Sequence, residues 1–104
     1  MRHARRTDRV HAEIRDGLRE HSWRVLDMSA AGRGIPDLLV EILPGLSMGL
    51  EVKDPSFKDP TKELTWDQRS YHDYMSQTVR VVQTLQEAHD VCMWAARNWR
   101  NVYE

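Results

Sequence analysis

The sequence has one cysteine, Cys92, and no long run of apolar residues. A single cysteine excludes an internal disulfide framework and a zinc site built on cysteines. No apolar stretch approaches the roughly 20 residues that a membrane-spanning helix needs. The basic N-terminus is followed by no apolar segment, so we expect no signal peptide. These absences predict a cytoplasmic protein with no membrane partner, and we expect no organic cofactor.

Charge is unevenly distributed along the chain, although the formal net charge is only −1. At 104 residues, of which 40% are hydrophobic and 30% charged, the chain has the size and composition of a single globular domain. Residues 1–9 carry four arginines against one acid, Asp8. These arginines are Arg2, Arg5, Arg6 and Arg9. Such an N-terminal arm can neutralise nucleic-acid phosphates, and a merely solvated terminus is the alternative interpretation.

The first third of the chain predicts a helix, a strand and a loop. From about Arg6 to His21 the apolar residues Val10, Ile14 and Leu18 repeat every four positions, as in an amphipathic helix with Thr7 as N-cap. Glu13 lies beside this apolar stripe, where a solvated side chain is the simple interpretation. A short strand over 22–28 and a small-residue loop over 29–34 follow. Arg33, between two glycines, can reach a phosphate or stay solvated.

Residues 34–53 predict two strands joined by a Pro44-Gly45 turn. Side chains alternate between the two faces of a strand. One face therefore receives the apolar row, which consists of Leu38, Val40, Ile42, Met48, Leu50 and Val52. The opposite face receives Asp37, Glu51 and Lys53. Two carboxylates and an ammonium group at close quarters suit a divalent metal ion and a phosphate.

The remainder predicts a loop over 54–63, a helix, a strand and a last helix. Thr65 and Gln68 form a capping box for the middle helix, which is a sufficient structural reason for Gln68. Trp66, Tyr74 and Met75 are the residues of this helix that could face the core, and Tyr71 and His72 are amphipathic. The last helix, after Thr84, carries a half-buried stripe made of Ala88, Val91, Cys92, Ala95 and Trp99. The order α-β-β-β-α-β-α predicts an α/β fold with a central mixed β-sheet flanked by helices.

These residues and their order resemble the PD-(D/E)XK nuclease superfamily, and within it the VRR-NUC branch. The similarity lies in three motifs, namely Gly34-Ile-Pro-Asp-Leu-Leu39, Gly49-Leu-Glu-Val-Lys53 and Leu64-Thr-Trp-Asp-Gln68. It extends over nearly the whole chain, including the first helix with Glu13 and the last strand and helix. The resemblance implies a restriction-endonuclease-like core within a single nuclease domain over 1–104.

The resemblance also implies a role for each motif residue. Asp37 and Glu51 would hold Mg²⁺ or Mn²⁺ with the Val52 carbonyl as a third ligand, because these cations prefer oxygen donors. Glu13 would bind the same ion directly or through water. Lys53 would orient the attacking water and stabilise charge on the phosphate, and Gln68 would assist at the same site.

The implied function is hydrolysis of phosphodiester bonds in DNA by a metal-dependent endonuclease. Small stand-alone members of this branch resemble junction-resolving dimers, so we expect a homodimer that acts on branched or junction DNA. The basic arm and Arg33 would bind the DNA backbone. Two alternatives stay open, a non-catalytic nucleic-acid-binding module with a nuclease fold, and a subunit that is active only with a partner.

Overall fold

The computed structural model describes the backbone of residues 2–103 and the side chains of residues 7–100. Within these residues three α-helices and four β-strands follow the order α-β-β-β-α-β-α, as predicted. The elements are α1 (Arg2–Glu20), β1 (Arg24–Asp27), β2 (Leu38–Leu43), β3 (Leu46–Val52), α2 (Trp66–Tyr74), β4 (Val79–Val82) and α3 (Leu85–Tyr103), with a short 3-10 helix at Pro60–Glu63.

The four described strands form one mixed sheet in the order β1-β2-β3-β4. β2 runs antiparallel to its neighbours β1 and β3, and β4 lies parallel to β3. The β2–β3 connection is the predicted tight turn, in which Gly45 has a φ of 86° that favours glycine. A parallel neighbour requires a crossover connection, and residues 53–78, which contain α2, provide it. The sheet therefore combines a meander with one helical crossover.

The hydrophobic core lies between one face of the sheet and the helices α1 and α3. The fully buried side chains Ile14 and Leu18 of α1 meet Cys92 of α3 and the apolar row of the sheet. Leu38 pairs with Leu50 and Val40 pairs with Met48 across β2 and β3, so this row is continuous between the strands. At about 25 cal/mol for each Å² of buried apolar surface, such burial is the dominant stabilising contribution. The core thereby fixes the register of the two central strands.

The first helix begins earlier than the sequence predicts. α1 begins at Arg2, so Thr7 lies inside the helix and the prediction that it is the N-cap was wrong. Residues 2–6 contain neither proline nor glycine, and alanine and arginine are good helix formers, so nothing in this segment prevents the extra turn. The side chains of Arg2, Arg5 and Arg6 lie outside the described residues.

Two of the three large aromatic residues of the middle helix, α2, lie in solvent. Trp66 is 80% exposed and Tyr74 is 87% exposed, so the prediction that they face the core was wrong. At 100° per residue they lie on one side of the helix, and Gln68 and His72 lie on the opposite side. The inward side of α2 is polar, and its Gln68 accepts a hydrogen bond from Lys53 at the end of β3, which reverses the usual pattern.

The last helix buries the predicted stripe only in its first half. Ala88, Cys92 and Ala95 are fully buried, whereas Trp99 is 38% exposed. Asn98 departs from helical geometry, with φ −118° and ψ 20°, and this kink turns the end of the helix. None of the described helices has the length and apolar character that a bilayer span requires.

The loop after β3 is held against the start of α3. Gln83 donates from Nε2 to the carbonyls of Asp54 (2.9 Å) and Phe57 (2.7 Å). The buried carboxylate of Asp54 accepts the backbone N–H of Ser56 at 2.8 Å. The loop therefore leaves the end of β3 along a fixed path before it reaches α2.

Candidate active site

The sheet register brings two acidic residues together. Asp37 immediately precedes β2, and because Leu38 pairs with Leu50, Asp37 lies across from Glu51 of β3. Asp37 Oδ2 accepts the backbone N–H of Val52 at 2.8 Å. The carboxylate of Asp37 is therefore oriented by the strand that carries Glu51 and Val52 and ends just before Lys53.

Glu51 is a buried carboxyl group with an unusual proton affinity. It is 1% exposed, and its Oε1 is buried without a hydrogen-bond partner among the described residues. The pKa of Glu51 is raised from its ordinary 4.5 to about 9, mainly by burial and also by the neighbouring Asp37 carboxyl, while Lys53 opposes this shift. Near neutral pH and without a cation, Glu51 thus retains its proton.

Lys53 reaches from the end of the strand to the inward side of α2. Its Nζ donates a hydrogen bond to Gln68 Oε1 at 3.0 Å. The same Oε1 accepts the backbone N–H of Thr65 at 2.9 Å, and Thr65 Oγ1 accepts the N–H of Gln68 at 3.2 Å. The predicted capping box is present, and its Gln68 also holds the lysine. The structural and the site interpretations of Gln68 are therefore compatible.

The small-residue loop over 29–34 packs against the first turn of α2 through Gly34. Gly34 has a φ of 81°, and a Cβ at this position would overlap the Asp67 carbonyl and approach the N–H of Gln68. Arg33 beside it is exposed and also has a positive φ, 56°, which is uncommon for a residue other than glycine. The loop thus places an exposed arginine next to the helix turn that holds Lys53.

A fifth polar residue, His72, borders the site and was not assigned to it from the sequence. It follows Gln68 by four positions on α2, so both lie on the same side of that helix. Burial lowers the pKa of His72, and the charge of Lys53 lowers it further. The signal for it in the sequence is its spacing of four from Gln68.

Glu13 does not join the pair of acids. It lies exposed on α1, and no group of three or more His, Cys, Asp or Glu side chains within residues 7–100 is arranged to hold a metal ion. The structure therefore brings together Asp37, Glu51, Lys53 and Gln68. A role for Glu13 stays a prediction.

The paired acids fit a hard divalent cation. Mg²⁺ in proteins is commonly bound by one or two carboxylates and keeps several waters, so two acids suffice. The unpartnered Oε1 of Glu51 is an oxygen donor whose burial is otherwise unfavourable. A cation would displace the Glu51 proton and satisfy this oxygen. Lys53 then supplies a positive charge next to the same position.

A comparison with solved structures finds a match to a structure described as a VRR_NUC domain, with a TM-score of 0.57 and 30% sequence identity. The match covers 83% of this chain and 92% of that chain. Comparisons with protein-family models and with curated proteins find no match. The similarity in sequence and fold thus extends over most of both chains.

Proposed function

Given that the chain belongs to the VRR-NUC domain family and has its nuclease fold, we propose that it is a metal-dependent endonuclease that hydrolyses phosphodiester bonds in DNA. The observation that carries this proposal is Glu51, a buried acid with an unpartnered oxygen beside Asp37 and Lys53. An uncompensated buried carboxyl lowers stability, so its presence favours a functional role over a purely structural one.

Asp37 and Glu51 would hold the Mg²⁺ or Mn²⁺ ion, with the Val52 carbonyl as a third protein ligand. When bound, such an ion lowers the pKa of a coordinated water and offsets charge on the scissile phosphate. Lys53 orients the attacking water and stabilises the negative charge that develops on the phosphate oxygens, an electrostatic effect that is usually large in a buried site. Gln68 holds the lysine in position for this task.

The test is cleavage of plasmid, linear duplex and four-way junction DNA in Mg²⁺ or Mn²⁺. We expect Lys53→Ala to cut at least about 100-fold more slowly than the wild type, as for loss of a major electrostatic group. Lys62→Ala is the matched control, because Lys62 is 79% exposed on the short 3-10 helix. A Lys53→Ala variant that cuts as fast as the wild type would contradict the assignment.

The same assay decides between the enzyme and its alternative. A wild-type chain that binds DNA equally well with and without divalent cations, and never cuts it, would favour the non-catalytic binding module. Cleavage that begins only after a partner protein is added would favour the partner-dependent form. For the DNA backbone, the proposed contacts are Arg9 and Arg33, both exposed, together with Arg2, Arg5 and Arg6.

We also propose that the substrate is branched DNA and that the protein acts as a symmetric homodimer. One site of this size cuts one strand, so resolving a junction requires two copies acting on two strands. Molar mass in solution, measured with and without a four-way junction, tests this assembly, and a strictly monomeric protein in both conditions would contradict it. A cytoplasmic location belongs to the same proposal, since Cys92 is a buried free thiol.

A further inference from the structure

Two buried side-chain polar atoms lack a hydrogen-bond partner within residues 7–100, and both lie in the neighbourhood of Lys53. One is Glu51 Oε1, which the proposed cation would satisfy. The other is His72 Nε2, which that cation does not explain. A buried polar atom without a partner is unfavourable by roughly 1–3 kcal/mol. The buried, unpartnered Nε2 of His72 therefore needs a separate explanation.

Helix geometry relates His72 to Gln68. The two residues are four positions apart on α2, so their side chains lie one above the other on the inward side. Gln68 Oε1 accepts from Lys53 Nζ, which places the lysine ammonium against this side of the helix. Their neighbours Arg69, Ser70 and Asp73 are exposed, whereas Gln68, Tyr71 and His72 are half-buried. Gln68 and His72 thus lie on the side of α2 to which Lys53 donates.

The charges around His72 favour an imidazole that accepts a hydrogen bond. Burial, Lys53 and Arg69 lower the pKa of His72, while Asp73 alone raises it, so the neutral ring is favoured. A neutral imidazole carries one bare nitrogen that can accept. An ammonium group has three N–H donors, of which one is directed to Gln68. The Lys53 ammonium therefore has N–H groups besides the one that it donates to Gln68, and the unpartnered His72 Nε2 lies on the same side of α2.

The Lys53–His72 hydrogen bond is not formed in this structure. We propose that His72 is a positioning residue whose Nε2 accepts a hydrogen bond from the Lys53 ammonium after a change in the lysine rotamer and, together with Gln68 Oε1, fixes the direction in which that ammonium meets the scissile phosphate. Two acceptors define the direction of the lysine side chain, whereas one leaves it free to rotate. The expected effect of His72 on the cleavage rate rests on the proposed nuclease function. The hydrogen bond between Lys53 and His72 can be tested without cleavage.

Nitrogen NMR of the histidine rings tests the hydrogen bond directly. We expect neutral His72 to carry its proton on Nδ1 and to have a bare Nε2, and we expect Lys53→Met to shift the Nε2 resonance. His89 is the internal control, because its Nδ1 accepts from Trp23 Nε1 at 3.3 Å and its proton must then reside on Nε2. Protonation of His72 on Nε2, or a His72 spectrum that Lys53→Met leaves unchanged, would overturn the proposal.

Two substitutions test the consequence for cleavage. His72→Gln retains a polar amide near the position of Nε2, and His72→Leu retains volume without an acceptor. We expect His72→Leu to slow single-turnover cleavage by about 10- to 100-fold with unchanged DNA affinity, as for other residues that orient catalytic groups, and His72→Gln to restore much of the rate. Thermal denaturation of both variants reports whether each is folded.

Equal rates for wild type and His72→Leu would overturn the proposal, and so would equal losses in the two folded variants. A wild-type chain that cuts no DNA would instead refute the proposed nuclease function. The NMR comparison would still decide whether Lys53 donates to His72. The two failures are therefore distinguishable.

Discussion

Lys53 Nζ donates to Gln68 Oε1 at 3.0 Å, and that same oxygen caps the first turn of α2 through the N–H of Thr65. One amide oxygen thus serves both the stability of a helix and the orientation of the proposed catalytic lysine. The two roles differ in their chemical requirements. The cap needs an oxygen acceptor, whereas the site needs an acceptor that leaves the ammonium charge available.

Gln68→Glu should separate these roles. Glutamate also completes a capping box, so we expect the free energy of unfolding to stay within about 0.5 kcal/mol of the wild type. Its carboxylate would pair with Lys53 and withdraw the ammonium from the phosphate, so we expect cleavage to fall by about 10-fold or more. Urea denaturation and single-turnover cleavage measure the two effects.

The control lies in α3, where Glu87 Oε1 accepts the N–H of Gln83 and Thr84 Oγ1 accepts the N–H of Glu87. Glu87→Ala should lower stability by about 1 kcal/mol, as loss of a cap does, and leave cleavage unchanged. Cleavage by Gln68→Glu at the wild-type rate would mean that Gln68 is a capping residue alone.

Glu51 should make the stability of the cation-free protein fall as pH rises. Its pKa is raised to about 9 in the folded chain and is near 4.5 when unfolded, so the unfolded state binds fewer protons between these values. The contribution is complete below pH 4.5 and is lost progressively as the pH rises to about 9. We expect Glu51→Gln to unfold like the wild type at pH 4 and to be more stable by roughly 1–3 kcal/mol at pH 8, because it no longer has to keep a buried acid protonated.

Chemical denaturation at pH 4, 6 and 8 in the presence of EDTA provides the measurement. Glu41→Gln is the matched control, because Glu41 lies on the same face of the sheet but is exposed. Wild type and Glu51→Gln with parallel pH profiles would show that Glu51 ionises in the fold as it does in water.

Divalent cations should stabilise the wild-type chain through the same carboxylates. With the ion at 100 times its dissociation constant, we expect a gain of about 2.7 kcal/mol, together with release of the Glu51 proton. Glu51→Gln and Asp37→Asn should lose most of this gain, and Glu41→Gln should keep it. Thermal melting in Mg²⁺, Mn²⁺ and EDTA gives the comparison. A gain of equal size in all four proteins would indicate that the ions bind elsewhere.

A methyl group at Gly34 should damage both the fold and the site. Its φ of 81° disfavours alanine, and the Cβ would overlap the Asp67 carbonyl, so we expect Gly34→Ala to lose about 2–5 kcal/mol of stability. Displacement of the α2 turn should also lower cleavage through Gln68. Gly32→Ala is the contrast, since nothing lies within 4 Å of its Cβ and only its φ of 67° opposes the change, for about 1 kcal/mol. Equal losses in the two variants would show that close packing at Gly34 has no effect.

Arg33 should contribute to DNA affinity without sequence preference. Asparagine tolerates a positive φ, so Arg33→Asn removes the charge while keeping the loop conformation. We expect weaker binding to all DNA sequences and a salt dependence reduced by about one phosphate contact. Arg97→Asn, at an exposed position on α3, is the control and should bind like the wild type. An unchanged salt dependence in Arg33→Asn would remove Arg33 from the interface.

The strand order and the charged face could be predicted because both follow from local patterns. The Pro44-Gly45 turn fixes the hairpin, and alternation along 38–42 and 48–52 separates the apolar row from Glu51. The burial of Glu51 could not be predicted in the same way. It depends on tertiary packing, which joins residues far apart in sequence.

The wrong predictions for α2 have the same origin. Trp66 and Tyr74 were expected inside because large aromatic residues usually are, but α2 turns its polar side toward a polar site. His72 was overlooked for the complementary reason, since a half-buried histidine gains its meaning only from Lys53 on another element. The hydrophobic pattern therefore predicts the orientation of helices and strands that pack on an apolar core. It does not predict the orientation of a helix whose inward side faces charged residues.

The proton on Glu51 has a consequence for when the protein attracts DNA. While Glu51 is neutral, one carboxylate and one ammonium give the site a net charge of about zero. Exchange of that proton for a divalent cation leaves two carboxylates, one ammonium and two positive charges, a net charge of about +1 on simple ionisation. In the proposed enzyme, affinity for the scissile phosphate would therefore rise only once the cation needed for cleavage is bound.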